Sequence, residues 1–313
     1  MPQSDTGPKE LVDSVSSVVI GKKDQISLVV MTLLAGGHVL IEDIPGVGKT
    51  LLALACARSM GVRFRRIQFT SDTLPSDVVG LNVFDPKRAE FEFKAGPVFT
   101  EVLLADEINR TSPRTQSALL ESMAEGNVSV DGVTYDLPQP FFVLATMNPV
   151  ERYGSFELPE SQLDRFMTSV SLGYPERDHE REILARDLEH TDAMELEPVT
   201  TPDRIREWRT QVRSVTLEDS VMEYLVDLVR ATREHPEIRL GLSSRAGLHL
   251  KRAAQARAFL LGRDYVVPGD LRAVFLAVSL HRVVASGPAG TAGAAEHKRE
   301  LLDKLLRSVE GPV

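Results

Sequence analysis

Three largely apolar runs mark the first half of the chain: Val39-Leu40-Ile41, Val102-Leu103-Leu104-Ala105 and residues 141–146. Such runs suit strands buried on both faces of a parallel sheet. Residues 62–69 alternate polar and apolar side chains, which also predicts a strand. Helical patterns lie between them, over 9–19, over 23–34 with Gly36-Gly37 as the stop, over 50–60, and briefly over 75–79. Another helix opens at Ser112-Pro113, with a serine N-cap and proline in first position, and stops at Gly126. Two hairpins are expected, around 85–93 and over 127–135, the second turning at Asp131-Gly132. After Tyr174-Pro175 the strand pattern ceases, and helices are expected over 177–189, 201–212, 218–234, 243–261 and 268–278. A Gly/Ala-rich linker over 287–295 leads to a last helix over 296–307. A βα half followed by an all-helical half places the boundary near Gly173.

The first apolar run leads into Asp43-Ile44-Pro45-Gly46-Val47-Gly48-Lys49-Thr50, a glycine-bearing loop with Lys-Thr opening a helix. Strand, loop and helix in that order read as a phosphate-binding P-loop. The glycines let backbone N–H groups turn inward around phosphate oxygens. Lys49 is expected to reach the β- and γ-phosphates, and the Thr50 hydroxyl to ligate Mg²⁺. The helix aims its positive N-terminal end at the same anion. Pro45, Gly46, Val47, Gly48, Lys49, Thr50 and Leu51 are therefore the expected nucleotide-binding residues. One position departs from G-x-x-x-x-G-K-[ST]: Asp43 replaces the first glycine. An extra carboxylate is thus expected near phosphate, weakening nucleotide affinity.

The second run ends in Asp106-Glu107, at the carboxyl end of a strand, where open α/β sheets place their ligands. Asp106 is expected to hold the hydrated Mg²⁺, and Glu107 to polarise the attacking water. The fold class is accordingly an α/β P-loop NTPase core with a parallel sheet, followed by an all-helical lid.

The chain has 313 residues, room for two domains or one large one. Its 36 basic and 45 acidic residues give a net charge of −9, which argues against a generic electrostatic grip on nucleic acid. Cys56 is the single cysteine, which excludes an intrachain disulfide; it reads as a small buried apolar residue. Residues 1–7 are polar and carry no signal-peptide pattern, and the longest apolar stretch, over 28–41, is broken at Gly36, Gly37 and His38. A cytoplasmic protein without a membrane span is the expectation.

Further segments carry a resemblance. Ala145-Thr146-Met147-Asn148-Pro149 looks like the sensor-1 strand end of AAA+ ATPases, with Asn148 in the sensor position. Leu158-Pro159-Glu160-Ser161-Gln162-Leu163-Asp164-Arg165-Phe166 resembles the arginine-finger segment, and Gly241-Leu242-Ser243-Ser244-Arg245-Ala246 the sensor-2 motif. With Gln68-Phe69-Thr70 and Ala105-Asp106-Glu107-Ile108-Asn109-Arg110, these closely resemble the MoxR family of AAA+ ATPases over residues 20–271. Met147 departs from the family, which usually has a polar residue there.

The resemblance implies ATP with Mg²⁺, bound between neighbours in a ring, commonly a hexamer. Arg165 would then complete charge neutralisation in the next subunit's site. Asn148 would orient water, and Arg245 would act from the lid in cis or in trans. Arg110 would face a neighbouring nucleotide or a client, or be structural. Ile20 and Gly21 would pack against adenine, or form a plain turn between helices. The expected division is 1–19 tail and helix, 20–173 ATP-binding domain with inserted hairpins, 174–286 helical lid, and 287–313 linker and last helix. The implied activity is that of an ATP-hydrolysing chaperone or remodeller serving maturation or metal-cofactor insertion. Its implied partner is a von Willebrand factor A domain protein. A nucleic-acid motor, a chelatase-type subunit and a nucleotide-switched scaffold remain as alternatives.

Overall fold

The computed structural model describes residues 7–148, 156–186, 190–286 and 293–312. It opens with α1 (Pro8–Ser16) and α2 (Lys23–Leu34), then β1 (Val39–Glu42) and α3 (Lys49–Ser59). Next come β2 (Phe64–Gln68), α4 (Pro75–Val79), β3 (Gly80–Asp85), β4 (Glu90–Ala95) and β5 (Val102–Asp106). They are followed by α5 (Pro113–Glu125), β6 (Asn127–Val130), β7 (Val133–Asp136), β8 (Phe142–Met147), α6 (Glu160–Leu163) and β9 (Thr168–Val170).

The five strands β2-β5-β8-β1-β9, in that order, make one parallel sheet. Its side chains obey the two-residue period of a strand. Val39, Ile41, Val102, Leu104, Phe142 and Leu144 join the core that also holds the buried residues of α1, α2 and α3. Their neighbours Leu40, Leu103, Ala105, Val143 and Ala145 face the opposite core, with Leu119, Leu120 and Met123 of α5. Cover on both faces is why these strands read as unbroken apolar runs. Cys56 is buried in the first core, and burial pushes its thiol up to about 12, which makes it inert.

The helical part comprises α7 (Arg177–Arg186), α8 (His190–Met194), α9 (Pro202–Ser214) and α10 (Asp219–Glu234). It continues with β10 (Ile238–Leu240), α11 (Ser244–Leu260), α12 (Pro268–Ser279), β11 (Val284–Ala285) and α13 (Ala294–Ser308). Trp208, Tyr224 and Phe275 are its largest fully buried side chains. α11 packs on α9, α10 and α12 and also reaches α2, while α12 reaches β9. Among the described residues no helix is long and apolar enough to cross a membrane.

Several bounds differ from expectation. α1 stops at Ser16, three residues early, where Ser16 and Ser17 hydroxyls turn back to the carbonyls of Val12 and Ser14. The first hairpin pairs Gly80–Asp85 with Glu90–Ala95, so the expected segment 85–93 covers its tip and one arm only. The strand β9 and the pair β10–β11 were not foreseen; each is two or three residues long and exists only through its partner strand. α13 begins at Ala294, inside the expected linker. Positions 287–292 of that linker, and 187–189 of the expected helix 177–189, lie outside the described residues.

Candidate functional site

Since β5, β8 and β1 are parallel neighbours, their carboxyl ends open side by side. Asp106 and Glu107 leave the first, Asn148 the second, and the P-loop the third. This is the topological position at which such sheets take ligands.

In the P-loop, Gly46 and Gly48 have φ of +83° and +90°, and a Cβ built on either would meet nothing within 4 Å. Their need for glycine is therefore conformational, and the loop is open where they stand. Gly48 caps α3 without a side-chain hydrogen bond, so no N-cap side chain competes for the amides of the first turn. Lys49 Nζ donates to the carbonyl oxygens of Asp43 and Ile44, at 3.0 and 3.1 Å. Thr50 follows it in the first turn of the helix, half-buried.

The Asp43 carboxylate, expected near phosphate, is taken up by backbone and hydroxyl donors around it. Its Oδ2 accepts from the backbone N–H of Leu172 (2.5 Å) and Gly173 (2.8 Å) and from Ser171 Oγ (3.3 Å). Its Oδ1 accepts from the Ile44 amide at 3.0 Å. The side chain is 5% exposed and serves as an acceptor for the segment after β9. A glycine at this position would leave those amides without it.

One hydroxyl organises the acid pair. Thr146 Oγ1, at the end of β8, donates to Asp106 Oδ1 (2.6 Å) and accepts from the Glu107 amide (2.8 Å). Arg66 on β2 donates to Asp106 Oδ2 at 2.6 Å. Glu107 adopts φ +58° and ψ +50°, a left-handed conformation that costs a non-glycine residue about 1–2 kcal/mol. Its Oε2 accepts from Gln68 Nε2 at 2.5 Å and pairs with Arg110 at 3.2 Å. Asn148 is buried just beyond β8.

Arg165 is half-buried after α6, and its Nη1 donates to the Leu120 carbonyl of α5 at 2.6 Å. Arg245 is exposed in the first turn of α11. Gly21 has φ +72° and lies against the His179 ring, where a Cβ would come within 2.5 Å of Nδ1. Beside it, Lys22 Nζ donates to the Tyr174 carbonyl at 2.9 Å. Gly21 and Lys22 thus meet the chain where it enters the helical part, and Ile20, half-buried, precedes them.

Residues 38–168 match the ATPase family associated with various cellular activities (AAA), and residues 230–305 match the AAA lid domain. The chain is 39% identical to Chaperone MoxR1 of Mycobacterium tuberculosis, over 86% of this chain and 74% of that protein. It is 33% identical to Protein MoxR of Methylorubrum extorquens, over 95% and 93% of the two chains. The chain belongs to the MoxR family of AAA+ ATPases. A crystal structure of a protein from Cytophaga hutchinsonii assigned as an ATPase superposes with a TM-score of 0.86 at 37% identity, over 97% and 94% of the two chains.

For this MoxR-family chain, sequence reasoning chose the carboxylates and the lysine and missed what orients them. Thr146 carried a signal, as the polar residue ending an otherwise apolar buried run. Gln68 stood in the Gln68-Phe69-Thr70 segment that carried the resemblance, without a role assigned to it, and Arg66 had no signal beyond its place on β2, because only the pairing of β2 with β5 brings them to Asp106 and Glu107.

Proposed function

We propose that this chain is an ATP-hydrolysing remodelling ATPase of the MoxR type, acting on protein partners as a ring with ATP bound between neighbours. The observation that carries this reading is the Thr146 hydroxyl, which holds the Asp106 carboxylate and the Glu107 backbone in one fixed relation at the edge shared with the P-loop.

Lys49, released from the Asp43 and Ile44 carbonyls, pairs with the β- and γ-phosphates, and the loop amides of 45–51 cradle them. Thr50 and Asp106 fit Mg²⁺, since a hydroxyl and a carboxylate are the hard oxygen donors this ion takes alongside water and phosphate. When bound, Mg²⁺ supplies charge neutralisation on the phosphate oxygens. Glu107 orients and polarises water once its hold on Gln68 and Arg110 loosens. Asn148 steadies that water, and Arg165 reaches the neighbour's nucleotide from the segment after α6. Arg245 senses nucleotide from the lid, and Ile20 and Gly21 contact the adenine.

The two hairpins are the partner-facing parts. Phe93 stacks on Tyr135 with centroids 4.1 Å apart, and Asn82 Nδ2 donates to Asp131 at 2.7 Å, so they form one unit. Phe84 and Phe91 are paired near the tip, with Phe91 72% exposed. The nearby charges are balanced, Arg88 against Asp85 and Lys94 against Glu92, which favours a protein over nucleic acid. One relative bears the name Chaperone MoxR1, in line with a remodelling role. On the client side the proposed role is maturation or metal-cofactor insertion in the cytoplasm, with a von Willebrand factor A domain protein as partner.

Glu107→Gln should keep ATP binding and lose turnover, trapping the ATP state. Drawn from native extract with ATP–Mg²⁺, and with Lys49→Ala as control, the trap should enrich a von Willebrand factor A protein or a cofactor enzyme. Nuclease-sensitive nucleic acid in its place would refute the remodeller and support a motor.

A further inference from the structure

The Asp164 side chain is held from two sides by the helical part. Its Oδ1 accepts from Arg282 Nε at 2.8 Å, and its Oδ2 from Ser243 Oγ at 2.9 Å. Arg282, just beyond α12, is 4% exposed. Its other donors reach the carbonyls of Asp164 (3.3 Å), Met167 (3.0 Å), Phe166 and Val278, and the His249 ring at 2.6 Å. His281 Nε2 lies 3.1 Å from the Phe166 carbonyl. Segment 164–167 is thus fastened to the helical part by a buried guanidinium that no solvent can satisfy.

Its neighbours in the chain give this cluster its meaning. Ser243 is the N-cap of α11, accepting from the Ala246 amide at 3.0 Å while donating to Asp164. Arg245 stands two residues further on, in the first turn of the same helix. On the other side, Asp164 is joined by one peptide bond to Arg165. A single carboxylate therefore links the start of α11, the end of α12 and the backbone of Arg165. If α11 or α12 shifts relative to the sheet, Asp164 must either move with it or give up a partner. Arg165 is held otherwise by its bond to Leu120 and by its amide, which donates to the Gln162 carbonyl at 3.1 Å.

We propose that Asp164, through Ser243 and Arg282, is a positioning residue that carries the posture of a subunit's lid to its own Arg165. A subunit then presents its arginine to the neighbour's ATP only when its own lid is seated. Hydrolysis at one interface becomes timed by the lid of the adjacent subunit. This rests on the reading of Arg165 as a residue that acts in trans, and the test separates the two.

Asp164→Asn and Ser243→Gly are compared with Arg165→Ala, each alone and in rings mixed with Glu107→Gln subunits. Ser243→Gly removes the hydroxyl bond to Asp164 but keeps a residue tolerated as an N-cap, and Ser243 is exposed, so this variant folds if Asp164→Asn does not. Alone, both should lose about tenfold or more in kcat with KM for ATP within about twofold, a part of what an arginine reaching the neighbour's phosphates supplies. In mixed rings turnover should return, because their own nucleotide sites are intact and receive Arg165 from Glu107→Gln neighbours. If Arg165→Ala is rescued and the latch variants are not, or if both latch variants run at the wild-type rate alone, the latch is wrong. If Arg165→Ala itself is never rescued at any mixing ratio, the trans reading falls and the latch with it.

Discussion

The Asp43 carboxylate accepts the backbone N–H of Gly173 at 2.8 Å, so the first residue of the phosphate loop is tied to the point where the chain leaves the sheet for the lid. The Leu172 amide joins it at 2.5 Å, and Leu172 is buried while Gly173 is half-buried. Two segments about 130 residues apart are thereby joined through one side chain.

Asp43→Ala should destabilise the protein by about 2–4 kcal/mol, since several amides lose an acceptor worth about 1–3 kcal/mol each when left unpaired. Nucleotide affinity should not improve. Urea midpoints and titration with a fluorescent ATP analogue measure the two quantities side by side. A tighter complex in the variant would mean that the carboxylate does act on the phosphates.

Thr146→Val keeps the shape of a β-branched residue and removes the hydroxyl that Asp106 and Glu107 share. Turnover should drop by about 10- to 100-fold, the usual loss when a supporting partner of an active group goes. Binding of nucleotide should change by less than about threefold, because Lys49 and the loop amides are untouched. Steady-state kinetics and a direct binding isotherm give the split. A proportional loss in both would assign Thr146 to folding of the strand end instead.

How far the sequence disclosed this site depends on the range of the interactions. Gly46, Gly48, Lys49 and Thr50 lie within five residues, so their spacing alone was enough to place them in a loop and the first turn of a helix. The strand ending in Asp106-Glu107 was equally legible, because burial on both faces imposes an unbroken apolar run. The partners of Asp43 were hidden because Leu172 and Gly173 come from about 130 residues away and no local pattern names them. The Arg282–Asp164 pair, 118 residues apart, was hidden for the same reason. Short strands such as β9 have too few residues to show a period, and appear only when β1 provides an edge.

Arg66 donates to Asp106 Oδ2 at 2.6 Å while its side chain stays 47% exposed. If Asp106 holds Mg²⁺ as proposed, a guanidinium there would compete with the ion for the same carboxylate. Arg66→Ala should lower the Mg²⁺ concentration for half-maximal turnover by about two- to fivefold, in keeping with the modest strength of a half-exposed pair. Titrating Mg²⁺ at saturating ATP tests it. An unchanged or higher requirement would show that the pair does not oppose the metal.

Three histidines should make the fold acid-sensitive. Burial lowers His38 to about 4, against a favourable bond to the Met123 carbonyl and with a further push from Arg209. Burial, then Arg282, Arg252 and Arg245, lowers His249 to about 3. Burial, with Arg282 next, also holds His281 well below its usual 6.5. His38 is fixed in neutral form, since its Nδ1 accepts from the Val143 amide at 3.1 Å. In the unfolded chain each ring titrates near 6.5, so above that pH neither state is protonated and stability is full. As pH falls from 6.5 towards 4, the unfolded chain takes up protons that the native state refuses, and stability is lost. The slope approaches about 1.4 kcal/mol per pH unit for each histidine. Carboxylates held low by arginine partners, Glu101 by Arg63 and Asp270 by Arg263 and Arg257, add their own losses only below about pH 4.5. Thermal unfolding between pH 7 and pH 4.5 should therefore show a steady fall in Tm that His38→Gln makes shallower. A flat Tm across that window would mean that these rings are reached by protons without unfolding.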